Sequence, residues 1–403
     1  MAVRQAKRLT GTRPGWKRSR VRRATTRRSL LLVLPALGLV VAFVVTEHLF
    51  YFPLTPLSLD RAGETRLPPA AGRLRLLFVG DTLLGDRAAG TLAHRGHDYP
   101  FDATRALIRG ADLAVGNLEG PIALGGAQAE KRWSYRMSPL AAVALARAGF
   151  DAMDLGNNHV GDRGEAGLRE TVAWLDLAGV RSFGAGMTEV EAHRPAVVDV
   201  RGVRVALLGY LAPYLEGPGG RYSLDHLCWG PGRGGAARGA PRLIARDVRA
   251  ARAAADLVLV SIHLGDRYQE KPTASERALC RGAIDAGADA VVGHGSHILG
   301  PIEVHRGRPI LYGVGNFAFG SMNVFARFSL VALLEVDSDR RRIAGLQVLP
   351  LFTMNSNPWI WFQPKILDGA QGRRVLRRVL ALSRPSAAGL RLARGPTRLV
   401  WDP

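Results

Sequence analysis

Five short stretches combine metal-ligating or proton-transferring residue types with glycine. They are Gly80-Asp81-Thr82, Gly116-Asn117-Leu118-Glu119-Gly120, Gly156-Asn157-Asn158-His159, His263-Leu264-Gly265 and Gly293-His294-Gly295-Ser296-His297. Carboxylates, imidazoles and amide oxygens make a mixed N/O donor set suited to divalent Mn, Fe or Zn. Two such ions about 3.5–4 Å apart polarise an ester or phosphoryl group and activate water. His159, beside the Asn157-Asn158 amides, is then the natural proton donor to a leaving group. The two cysteines, Cys228 and Cys280, lack metal-ligand spacing, so cysteine-held zinc is excluded. They either pair in an oxidising compartment or stay as buried free thiols.

Taken singly, each stretch has a plain reading. Asp81 could cap a helix, Asn157 and Asn158 suit turns, and His263 and His297 could be hydrogen-bonded core residues. His94 and His97 fall in a polar loop and read as surface, while His48, His193, His226 and His305 have no comparable context. The combination carries more than its parts, because every stretch follows an aliphatic run. The runs that predict strands are Leu74–Val79, Leu113–Val115, Ala152–Leu155, Arg204–Tyr210, Leu257–Ile262, Ala290–Val292 and Pro309–Val314. Between them Pro139–Ala148, Glu165–Ala178, Ile244–Ala254 and Thr273–Ala286 predict helices. Such alternation predicts an α/β fold of βαβ units with a largely parallel sheet, closed by a hairpin over 326–335 and 343–350. In open α/β sheets functional groups gather past the carboxyl ends of strands, which is where these five stretches fall.

The formal net charge is +21 over 403 residues, but it is unevenly spread. Residues 1–28 hold eleven Lys and Arg and no acid, leaving 44 basic and 34 acidic residues elsewhere. Residues 29–52 follow as an apolar segment whose sixteen uncharged residues, Leu30 to Val45, would span roughly 24 Å as a helix. The basic flank predicts a single-pass anchor at the cell membrane, with a cytoplasmic N-terminus and an extracytoplasmic domain. Thr26-Arg27-Arg28-Ser29-Leu30-Leu31 also resembles a twin-arginine export signal, although arginine pairs are common in basic leaders. Residues 53–72 read as a Pro/Gly linker, 73–357 as the main domain and 358–403 as a basic tail. Within the tail, Gln371–Leu382 predicts a basic amphipathic helix, read as a solvated face ahead of a membrane-surface one. Arginines without interleaved aromatics, behind an anchor, predict no nucleic-acid partner.

The motifs Gly80-Asp81-Thr82-Leu83-Leu84-Gly85, Tyr99-Pro100-Phe101, Asn117-Leu118-Glu119-Gly120-Pro121 and Asn157-Asn158-His159 resemble those of the bacterial capsule-synthesis CapA, or poly-γ-glutamate biosynthesis, family. Gly287-Ala288-Asp289-Ala290, His294-Gly295-Ser296-His297, Glu303 and Gly315-Asn316-Phe317 continue the pattern to about Leu351. The resemblance implies a metallophosphoesterase-like four-layer α-β-β-α sandwich behind the N-terminal transmembrane helix. It implies Asp81, Glu119, Asn158, His263, His294 and His297 as metal ligands, with His159 as catalytic acid and Asn157 beside it in the catalytic set. The expected partners are an envelope polymer (polyglutamate or an anionic glycan), the membrane and other capsule-synthesis subunits. Two functions follow: a metal-dependent hydrolase or transferase in capsule or poly-γ-glutamate biosynthesis, or a non-catalytic polymer-binding component of the assembly and export complex. Lys131, Arg132, Arg136 and Arg163 flank the second and third stretches and read as surface cations ahead of anion ligands.

Overall fold

The computed structural model describes residues 72–403 apart from 213, 218 and 219. The predicted basic leader (1–28), anchor (29–52) and all but the last residue of the linker (53–72) lie outside the described residues. Among the described residues no helix is long and apolar enough to cross a membrane.

The aliphatic runs form two large sheets in a mixed α/β fold. The larger has the lateral order Arg391–Leu392, Leu399–Trp401, Arg342–Phe352, Phe328–Asp337, Arg73–Leu83, Leu113–Leu118, Ala152–Asp154 and Arg181–Phe183. Asn316–Phe319 runs parallel to Arg73–Leu83, and Lys365–Ile366 pairs with Arg342–Phe352. The smaller sheet has the order Ile302–His305, Arg308–Leu311, Ala290–His294, Leu257–His263, Val203–Leu211 and Ala196–Val200. The expected largely parallel sheet is corrected here, since both sheets are mixed. Arg73–Leu83 through Arg181–Phe183 are parallel, as are the middle strands of the smaller sheet. The edges of the smaller sheet fold back as hairpins because their connections are too short for a crossover. Arg201-Gly202 (φ 52° and 87°) and Arg306-Gly307 (φ 52° and 70°) both take the positive φ that tight hairpin turns require. The hairpin expected near 326–350 is present as Phe328–Asp337 with Arg342–Phe352.

Each sheet buries one face under helices. Leu140–Ala148 and Gly164–Leu177 set Ala141, Leu145, Leu168 and Leu175 into one cluster with Leu77, Val79, Ala114 and Met153. Pro241–Ala254 and Ala274–Asp285 do the same with Ile244, Val248, Leu279 and Ala283 against Leu208, Tyr210, Val258 and Val260. Alternate strand residues such as Leu76, Phe78, Leu113, Leu207 and Leu259 are equally buried, so the opposite faces are covered too. The sheets are tied by the Ser261 hydroxyl, which donates to the Asp154 carboxylate.

The tail expected to be separate from 358 onward belongs to the larger sheet. Leu399–Trp401 pairs with Arg342–Phe352, and the helix Gly369–Ser383 buries Val375, Leu376 and Val379. Arg374, Arg377 and Arg378 lie exposed on its other side, with Arg378 on the Glu270 carboxylate. Cys228 and Cys280 are both free and buried.

Candidate metal centre

Strand register assembles the centre. In the larger sheet Asp81 is aligned with Asn117 on one side and Asn316 on the other, and Asn117 with Asp154. In the smaller sheet His263 is aligned with His294. The first strand does not stop at Val79, where the aliphatic run ends, but runs on through Asp81 to Leu83. Glu119 follows directly on Leu113–Leu118, its N–H donating to the Thr82 carbonyl at 2.9 Å. His297 sits in the loop after Ala290–His294 with φ at +61°, a conformation that costs a non-glycine residue about 1–3 kcal/mol.

One donor atom each of Asp81, Glu119 and His263 lies within 4.8 Å of the others, and all three residues are buried. His297 Nδ1 faces two acceptors, Asp81 Oδ2 at 3.0 Å and Asn316 Oδ1 at 2.9 Å. Its proton therefore belongs on Nδ1, which in the neutral ring leaves the Nε2 lone pair 3.7 Å from Glu119 Oε1. His294 Nδ1 is 3.3 Å from Asp81 Oδ1, but without hydrogen-bonding geometry. His159 Nε2 stands 3.9 Å from Glu119 Oε1. Its other nitrogen, Nδ1, donates to Asp162 Oδ2 at 2.8 Å, and its ring stacks on Tyr135 with centroids 4.2 Å apart.

Five of the six expected ligands and His159 are thus brought together across both sheets. Asn158 differs: its Oδ1 is a buried acceptor with no donor, and its carbonyl accepts from Lys131 Nζ at 2.8 Å. Asn157, expected among the catalytic residues, lies beside the centre with its side chain fully engaged in hydrogen bonds. Its fully buried amide donates to Asn117 Oδ1 at 3.0 Å and the Leu118 carbonyl at 2.8 Å, and accepts from His159 N–H at 3.0 Å. Asn117 in turn donates to Asp81 Oδ1 at 2.9 Å, so a chain of amides ties the His159 loop to the first carboxylate.

Lys131 is also corrected. Rather than a surface cation, it pairs with Asp162 and reaches within 3.3 Å of His159 Nδ1. The three-residue spacing of Asp162 after His159 is the sequence feature that marks this group; Lys131 reads only as one of four flanking cations, and Tyr135 carries no mark. Arg136 and Arg163 do behave as exposed or partly exposed cations.

The donor set fits a cation. Both Glu119 oxygens, His263 Nδ1 and His294 Nδ1 are buried without hydrogen-bond partners, a costly arrangement unless something positive completes it. Burial alone would raise the Asp81 carboxyl, but the His294 and His297 imidazoles hold it well below the usual carboxylate range. Burial and the adjacent Asp81 charge push Glu119 well above that range. Burial pushes His263 down to about 3 and, against the pull of Asp162, His159 down to about 4. Neutral imidazoles beside buried carboxylates are what divalent-ion ligation requires.

With this geometry in place, the comparisons agree with one another. The family model described as "Bacterial capsule synthesis protein PGA_cap" matches residues 75–321. A "Capsule biosynthesis protein CapA" of Bacillus anthracis is 28% identical over 300 residues, covering 71% of this chain and 69% of that protein. A "Probable polyglutamine synthesis accessory protein" of Mycobacterium tuberculosis is 35% identical over 266 residues, covering 63% of this chain and 70% of that one. Among solved structures, a 5'-nucleotidase of Candida albicans aligns with a TM-score of 0.39 at 11% identity, over 77% of this chain and 57% of that one. That last likeness is too slight to argue from.

Proposed function

Since the chain belongs to the bacterial capsule synthesis protein family, we propose that it serves capsule or poly-γ-glutamate biosynthesis as a membrane-anchored, metal-dependent hydrolase or transferase. The observation that carries the reading is the set of unpartnered buried ligand atoms on Glu119, His263 and His294 around Asp81. Asp81, Glu119, His263, His294 and His297, with Asn158, would hold the metal; two sheets with helices on their outer faces support a four-layer, metallophosphoesterase-like sandwich. When bound, a divalent Mn, Fe or Zn ion supplies a Lewis acid for an ester, phosphoryl or γ-glutamyl oxygen and acidifies water.

The chain's own contribution centres on His159. Asp162 fixes its Nδ1–H, leaving the Nε2 lone pair toward Glu119. With its pKa near 4, His159 is neutral at neutral pH, so Nε2 would take a proton from the attacking water and pass it to the leaving-group oxygen, restoring the neutral ring. Lys131 clamps Asp162 and the Asn158 carbonyl, and Tyr135 covers one face of the imidazole. The anchor is supported by the apolar segment 29–52 behind its basic flank.

The test uses the full-length chain in detergent, with bound metal measured beside hydrolysis of ester, phosphoester and γ-glutamyl substrates. Asp81→Ala should lose both metal and turnover. His159→Ala should keep the metal and lose turnover, and Asp162→Asn should keep the metal with turnover down by about 10–100-fold. Metal retained by the wild type without turnover on any substrate would point instead to the polymer-binding assembly component.

A further inference from the structure

The open side of the centre is bordered by residues that the metal reading does not use. Among His159, His294 and His297, the last has the most exposed side chain, at 15% against 9% and 2%. Beside it Tyr268 brings its ring within 6.5 Å of the His297 ring, fixed by its N–H donating to the Ser296 carbonyl at 2.9 Å and by an Asn323–hydroxyl hydrogen bond. The Arg267 guanidinium lies over Tyr268, 5.3 Å from the ring centroid, and over Trp133 at 4.3 Å. Arg132 lies over Trp133 as well, at 4.7 Å. The segment that presents Trp133 also carries Lys131 and Tyr135, both in contact with His159. Two distant stretches, 131–135 and 266–268, therefore meet beside the centre through one cation–π contact.

The chemistry of that meeting point favours an oxyanion. Among the described residues, neither Arg132 nor Arg267 has a carboxylate within ion-pair distance, in contrast to Arg246, Arg281 and Arg378. Stacking occupies the faces of the guanidinium groups and leaves their N–H edges for bidentate bonds. Trp133, 42% exposed, is thereby held as a rigid platform rather than packed into the core. We propose that Arg267, stacked on Trp133 and Tyr268 with Arg132 alongside, forms a subsite that grips side-chain carboxylates of a polyglutamate chain next to the unit held at the centre. This rests on the polymer reading above and names the residues that select it. The charge complementarity is direct: repeated carboxylates meet unpaired guanidinium forks.

The experiment measures binding of fluorescently labelled poly-γ-glutamate of defined length to the full-length protein in detergent. Its methyl ester and long-chain polyphosphate serve as comparison probes, and bound metal is measured in parallel. Arg267→Gln should weaken polyglutamate binding about tenfold, the effect of losing one charge-assisted contact, with bound metal unchanged. Arg267→Lys should recover only part of it, because an ammonium has no fork. Trp133→Phe should stay closer to wild type than Trp133→Ala. The methyl ester should bind weakly to wild type and Arg267→Gln alike. Unchanged polyglutamate affinity in both Arg267→Gln and the Arg132→Gln/Arg267→Gln pair would overturn the subsite, as would no polyglutamate binding by the wild type. Tighter binding of polyphosphate than of polyglutamate would overturn the choice of carboxylate. Failure of the metal reading would appear separately, as wild-type protein without metal whose polymer binding still depends on Arg267.

Discussion

At the scale of single residues, Asp154 joins the two sheets and sets a pH dependence. Its Oδ1 accepts from Gly156 N–H at 2.7 Å, and its other oxygen accepts from Ser261. Burial outweighs both hydrogen bonds and raises the carboxyl from 3.8 to about 6. The folded chain thus binds this proton more tightly than the unfolded one. The stability linked to it is full below pH ~4 and falls as pH rises through 6, by about 3 kcal/mol in all. Asp154→Asn preserves the acceptor for Gly156 and offers a donor to Ser261. It should melt at least as high as wild type at pH 7 and show a shallower fall in melting temperature from pH 4 to 7; an unchanged slope would rule Asp154 out as its source. Nothing near Asp154 in sequence foretells this, since Ser261 lies 107 positions away. The catalytic candidates were more legible because glycine flanks and strand ends mark them locally, while Lys131 carries no such mark. A lysine in a polar loop reads as solvated until folding places Asp162 against it.

At the scale of elements, glycine permits the close approach on which the centre depends. The aliphatic run that predicts the first strand ends at Val79, yet the strand passes on through Gly80. Its purpose is close approach: a Cβ at Gly80 would fall 1.8 Å from the Gly315 carbonyl oxygen, which itself accepts from Asp81 N–H at 3.0 Å. Gly80→Ala must therefore push Asn316–Phe319 away from Arg73–Leu83 and pull Asp81 from Asn316 and His297. The expected outcome is a loss of about 1–3 kcal/mol in chemical denaturation, with weaker metal retention at neutral pH. An alanine variant with wild-type stability and metal content would show that the two strands separate freely. Helices were legible to within a few residues, because alanine-rich amphipathic runs with clear ends need no distant information. The C-terminal strands were not, since Lys365–Ile366 and Leu399–Trp401 are too short for alternation to show, and their partner Arg342–Phe352 is fixed only by the fold.

At the scale of the whole molecule, the centre is a joint between two sheets, beside the Ser261–Asp154 hydrogen bond that also ties them. Asp81 and Glu119 come from the larger sheet, His263 and His294 from the smaller, and His297 from the loop beyond it. Without a cation the joint brings two buried carboxylates together, and Glu119 relieves the repulsion only by holding a proton. A bound ion would replace that repulsion with attraction to both sheets at once, so its binding energy would act on the packing of the sheets and not on one loop. Free metal at a thousand times its dissociation constant would add about 4 kcal/mol to the folded state. Chelation of the full-length protein should accordingly lower its melting temperature by several degrees, and readdition of the lost metal should restore it. Asp81→Asn should remove that response to chelator and metal. A melting temperature indifferent to both in the wild type would mean that apolar packing and the Ser261–Asp154 bond suffice to hold the sheets and that the clustered donors are not a metal joint.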